Sequence, residues 1–195
     1  RSIIAVLATA AGALSLSLWS SQAAATDAPA LPRYQLEATL EPATHLLEVR
    51  AVVELPSAMA GQAVEFLLAA PLAVLESEPR VERLPADSAK GFSGINGSSQ
   101  TMTSAGRAAR YRVQLAPGAS KFTLHYRGPI NFGFETPAQE YARGFNETAG
   151  IIDNDGVYLA GSTLWYPYLG DTLFTFELTA RSPAGWQLIS PGNVS

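Results

Sequence analysis

From Arg33 onward the chain alternates between apolar and polar positions. Tyr34, Leu36, Ala38 and Leu40 are separated by Gln35, Glu37 and Thr39. A period of two places successive side chains on opposite faces and predicts a half-buried strand. Pro42 to Thr44 predicts a turn. Leu47, Val49, Ala51, Val53 and Leu55 then resume the alternation, completing a hairpin. Ala63 to Ala69 (AVEFLLA) predicts a third, more buried strand. Leu72 to Leu75 and Arg80 to Leu84 are shorter runs bounded by Pro71, Pro79 and Pro85. Tyr111, Val113 and Leu115 restart the pattern, Pro117-Gly118 marks a turn, and Phe122, Leu124 and Tyr126 share one face of the next strand.

Three further strands are predicted over Gly156 to Ala160, Thr172 to Ala180 and Trp186 to Ser190. Ala86 to Gly106 is rich in Ser, Gly and Ala and predicts a loop. One short helix is predicted after Thr136: Pro137 follows as its first residue, Gln139 takes the capping-box position, and Ala138, Tyr141, Ala142 and Phe145 have helical spacing. Many short strands, regular turns and one short helix predict an all-β fold, an antiparallel β-sandwich.

The chain divides into three parts. Residues 1–25 read as a secretory signal peptide with a truncated start. Arg1 precedes an apolar run from Ile3 to Leu18, and Ala23-Ala24-Ala25 gives an A-x-A-like end. An uncleaved membrane anchor is the alternative reading. Residues 26–33 (TDAPALPR) form a linker, and 34–195 form the β-sandwich domain, incomplete at its C-terminus because Pro191-Gly192-Asn193 reads as a turn awaiting a strand. The leader implies export, to the periplasm or the medium. The net charge of −4, one unit more negative without Arg1, argues against a nucleic-acid surface. There is no cysteine, which excludes disulfides and thiolate metal sites and suits an exported bacterial protein.

Catalytic chemistry is hard to build from these residues. The two histidines, His45 and His125, lack a neighbouring carboxylate or second histidine at helical spacing, so no metal site is predicted. Ser93, in Gly91-Phe92-Ser93-Gly94, lacks the spacing of a nucleophile elbow. Asp153-Asn154-Asp155-Gly156 opens like a calcium loop, but Leu164 stands where the twelfth-position acid is needed; a tight turn is the better reading. Glu135, Glu140, Asp153, Asp155 and Asp171 could supply a carboxylate pair, yet nothing in the spacing brings two together. Trp165-Tyr166-Pro167-Tyr168 is the densest aromatic cluster, read either as a core anchor or as the wall of a cleft or interface.

A set of motifs resembles the N-terminal β-domain of M1-family zinc aminopeptidases. They are Y-x-L-x-A-x-L (34–40), V-x-A-V-V-E-L (49–55), L-H-Y-R-G (124–128), G-V-Y-L (156–159), W-Y-P (165–167) and P-A-G-W-Q-L-I-S-P-G (183–192). The resemblance implies a non-catalytic domain capping the cleft of a catalytic domain on the same polypeptide. That domain would carry H-E-x-x-H, zinc and the peptide substrate; this chain has no H-E-x-x-H. Typical members have T-Q-x-E and then R-x-x-F-P-x-x-D-E-P where this chain has Ser162 to Tyr168. The missing Gln, Arg and D-E-P suggest a divergent bacterial branch. Ser162, Thr163 and Trp165 are the only positions carried over as neighbours of a substrate cleft. A free-standing secreted β-sandwich that binds carbohydrate or protein is the competing reading.

Overall fold

The computed structural model describes residues 31–85, 107–134, 148–170 and 172–193. The leader, the Ser/Gly-rich loop and the predicted helix after Thr136 lie outside them. The described chain is all-β. Its strands are β1 (Arg33–Glu41), β2 (Leu46–Glu54), β3 (Ala63–Ala69), β4 (Ala73–Glu78), β5 (Val81–Arg83), β6 (Ala108–Gln114), β7 (Lys121–Pro129), β8 (Ile151–Asp153), β9 (Gly156–Tyr158) and β10 (Thr175–Arg181). Short 3-10 turns occur at Pro42–Thr44, Ser57–Met59 and Gly161–Thr163. Among the described residues, no helix is long and apolar enough to cross a membrane.

The strands form a five-stranded sheet ordered β10-β1-β2-β7-β4, a three-stranded sheet ordered β3-β6-β5, and the hairpin β8-β9. The predicted hairpin is present, with Tyr34 opposite Val53 and Leu40 opposite Leu47. Its alternation becomes burial. Tyr34, Leu36, Ala38, Leu47, Val49, Ala51 and Val53 are all buried and belong to one apolar cluster, because the two-residue period puts them on one face of their strands. Phe66 of β3 stacks on Phe122 of β7 at 5.6 Å and on Tyr111 of β6 at 5.5 Å, so rings from the two larger sheets meet in one core. Each such pair adds about 0.5–1.5 kcal/mol beyond the area it buries.

Two close approaches fix the packing. A Cβ on Gly128 would lie 2.1 Å from the carbonyl oxygen of Pro71, so only glycine lets β7 pass the Pro71–Leu72 corner. A Cβ on Gly150 would lie 2.3 Å from Cγ2 of Thr163.

β8 (Ile151–Asp153) is a strand the sequence pattern did not predict, β4 runs on to Glu78, and two further departures shape the sheet end. The predicted strand Trp186 to Ser190 is irregular, with no ladder partner. The long strand begins at Thr175 rather than Thr172, and it pairs with β1 in parallel, as an exception in an otherwise antiparallel sheet. A parallel partner must arrive by a long connection, which leaves no local turn signal in the sequence.

Candidate functional site

The β1–β10 register sets one face of this sheet end. Tyr34 pairs with Phe176, Leu36 with Leu178 and Ala38 with Ala180, so the apolar residues of both strands lie side by side. The residues between them, Gln35, Glu37, Glu177 and Thr179, face the other way. This apolar floor opens into a groove of about 730 Å³. Trp165, Tyr166 and Phe174 line it, as do Asn154–Val157 of the β8-β9 hairpin and the irregular segment from Gly185 to Pro191.

The aromatic residues form a connected cluster. Phe174 packs against Tyr34 at 5.0 Å, Tyr166 at 5.4 Å and Phe176 at 6.3 Å, while Trp165 meets Tyr166 edge-on at 5.4 Å. The W-Y-P turn is pinned from below by two core tyrosines. The Tyr34 hydroxyl donates to the Pro167 carbonyl at 2.8 Å, and the Tyr126 hydroxyl donates to the Trp165 carbonyl at 2.9 Å. The same segment closes the free edge of β3. Leu67 and Tyr168 exchange N–H to carbonyl bonds at 2.9 Å, and the Ala69 N–H donates to Leu164 at 2.8 Å. The W-Y-P segment is therefore both anchor and wall: its backbone is held by the core, and its Trp165 and Tyr166 rings are half-buried in the groove. Burial pushes the Tyr34 and Tyr126 phenols well above their ordinary range and raises Tyr166, so all three stay protonated donors at neutral pH.

Of the three predicted cleft neighbours, Trp165 lines the groove. Ser162 is half-buried and is not a lining residue. Thr163 does not line it either. It is fully buried, and its hydroxyl donates to the Ala149 carbonyl at 2.6 Å and accepts the Ala160 N–H at 3.0 Å. Its one donor and one of its two acceptor sites are used within the fold, and its burial keeps a ligand away from the rest. Trp186 also lines the groove, and so do Phe174 and Phe176, which the sequence reading did not single out as site residues. The spacing Phe174-x-Phe176-x-Leu178-x-Ala180 carried that signal, but a core face has the same spacing.

No family model matches this sequence, and no curated protein matches it. The groove must be judged by its own chemistry. Among the described residues, Asp155 is its only charged lining residue, and no histidine lines it. It is suited to gripping an apolar or aromatic surface rather than to moving a proton.

The remaining candidates sit elsewhere. Asp153-Asn154-Asp155-Gly156 forms the two-residue turn between β8 and β9, with the Asn154 N–H bonded to the Asp153 carboxylate at 2.6 Å. His45 adopts the left-handed region (φ 57°), and its Nδ1 donates to the Ile152 carbonyl at 2.6 Å, tying this hairpin to the turn after β1. His125 lies on the outward face of the five-stranded sheet. Its Nε2 meets Glu48 at 2.8 Å, and its Nδ1 faces Glu76 at 3.7 Å. Arg127 lies 3.7 Å from both Glu48 and Glu41. The hydrogen bond from His125 holds the Glu48 carboxyl below its usual range. Among the described residues no three His, Cys, Asp or Glu side chains are placed to hold a metal ion. Ser93, Glu135, Glu140 and Asp171 lie outside the described residues.

Proposed function

We propose that this chain is a non-catalytic β-sandwich domain of an exported, M1-like zinc metallopeptidase, covering the cleft of a catalytic domain on the same polypeptide. The motifs from Tyr34 to Gly192 support the family reading. The ring contacts between Phe66, Tyr111 and Phe122 support a sandwich of the two larger sheets. The observation that carries the proposal is the apolar surface around the groove. Phe176 is 40% exposed, Leu188 48% and Ile189 92%, all at one lining. Clustered large apolar side chains of this kind mark an interaction surface. Here the surface fits a neighbouring domain, because it combines half-buried aromatics with almost no charge.

The test is the reading frame that encodes the chain, followed by an assay of its whole product. An H-E-x-x-H with a later Glu, and chelator-sensitive hydrolysis of aminoacyl anilides that weakens in Phe176→Glu and Ile189→Glu variants, supports the proposal. A stop codon directly after Ser195 sinks it.

One observation favours the second reading, a secreted binding module. Trp165, Tyr166 and Trp186 all keep part of their surface in the groove. Tryptophan fluorescence titrations with oligosaccharides and with apolar peptides test that reading. Saturable quenching that is lost in Trp186→Ala favours it.

A further inference from the structure

We propose that the open edge of β10 pairs with the same edge of a second copy of this chain, antiparallel and centred on Thr179. β10 ends the five-stranded sheet, and no described strand pairs with its outer side. Five of its seven residues are exposed. Soluble proteins usually protect such an edge with proline, lysine, a bulge or extreme shortness. The sequence TFELTAR contains no proline or lysine, and its ladder with β1 runs without a shift from Thr175 to Arg181.

The backbone fixes which groups are available. The Thr175 N–H donates to Pro32 on the β1 side at 2.9 Å. Backbone groups alternate in direction along a strand, so Phe176, Leu178 and Ala180 turn theirs toward the open edge. The side chains then fix the register. Phe176, Leu178 and Ala180 line the groove, while Glu177, Thr179 and Arg181 face the other way. Groove-facing residues must oppose groove-facing residues, because a slip of one position puts apolar side chains opposite polar ones.

Of the antiparallel registers that satisfy this rule, centring on Leu178 or Ala180 leaves Glu177 and Arg181 opposite threonine or proline, with no opposite charge to meet, and centring on Glu177 sets that carboxylate against its own copy. Centring on Arg181 sets two guanidinium groups together. Centring on Thr179 places Glu177 of each copy opposite Arg181 of the other, and Leu178 opposite Ala180. The Leu178–Ala180 pairs then exchange backbone hydrogen bonds. The Glu177–Arg181 pairs become the non-bonded ones, whose side chains stand closest. Arg181 has no ion-pair partner among the described residues, and Glu177 has only the exposed Arg33 at 3.5 Å. The result is an isologous two-fold contact that joins the two large sheets into one.

Substitution of Thr179 by cysteine tests the register directly. The chain has no cysteine, so a disulfide in this variant can only join two copies. At a non-bonded pair the two Cα atoms stand about 4.5 Å apart, within reach of a disulfide. Oxidation of the full chain carrying Thr179→Cys is expected to give a covalent dimer, while Thr175→Cys, on the same edge but off the axis, stays monomeric. In sedimentation, Arg181→Glu is expected to abolish the dimer, and Glu177→Arg combined with Arg181→Glu to restore it. A single copy at every concentration overturns the proposal. So does cross-linking at Thr175 as readily as at Thr179, or an Arg181→Glu variant that still dimerises.

Discussion

The Thr163 hydroxyl joins two stretches of chain that share no ladder. It accepts from Ala160 and donates to Ala149, and its methyl group fills the space a Cβ on Gly150 would need. Replacing Thr163 by valine keeps the shape and strands both backbone groups. A loss of about 1–3 kcal/mol is the expected result, read from urea unfolding, since a buried polar group without a partner carries its full desolvation cost. Thr163→Ser is expected to recover most of it. Gly128 is constrained by space alone. Gly128→Ala must displace the Pro71 corner, and a loss of about 1–3 kcal/mol or more follows from overpacking, checked by the midpoint of the same unfolding curve. Neither residue could be weighted correctly from sequence. Thr163 is a cleft neighbour only by carry-over from the family resemblance of Ser162 to Tyr168, and Gly128 is one letter in a family-like motif. Their importance comes from atoms at Ala149 and Pro71, and nothing in the local pattern names those partners.

At the scale of elements, the alternating runs from Tyr34 to Leu55 and from Tyr111 to Tyr126 were legible, because each buries one face and joins its neighbour by a short turn. The β8-β9 turn was legible too, since Asn, Asp and Gly suit its tight geometry. The pairing of β1 with β10 and the irregular path of Trp186 to Ser190 were not. An apolar-rich run reads alike whether it joins a ladder or only lines a groove. Charged pairs across strands give these sheets an acid-sensitive component. Glu65 of β3 bonds Arg112 and Arg110 of β6, and Glu48 of β2 bonds His125 of β7; both carboxyls are held below their usual range, chiefly by those hydrogen bonds. A folded-state pKa below the unfolded value makes the unfolded chain bind protons first as pH falls. The stability these groups add is complete above the unfolded value of about 4.3, and it is lost as pH falls from there through the lower folded values. Unfolding measured between neutral pH and that acid range is expected to show a decline that is shallower in Glu65→Gln.

The whole molecule responds to base in the opposite sense. Tyr34 and Tyr126 are raised by burial and stay protonated where an unfolded chain would begin to ionise. The unfolded state then releases protons that the native state keeps, so their stabilising contribution begins to fall above an unfolded value of about 10. Ultraviolet titration is expected to show normally titrating phenols first among the seven tyrosines, with these two appearing only as the chain unfolds. Tyr34 also bonds Pro167, 133 residues away, and its strand pairs with the last strand of the described fold. That closure has a consequence for the order of events during folding. The hairpin of β1 and β2 is local and can form early, but the edge that β1 must share with β10 stays bare until the chain as far as Arg181 has folded back. Non-local pairings of this kind are slow to form and expose sticky edges while they wait. A chain cut before Thr175 is therefore expected to keep this edge bare and to scatter more light on refolding than the full chain does.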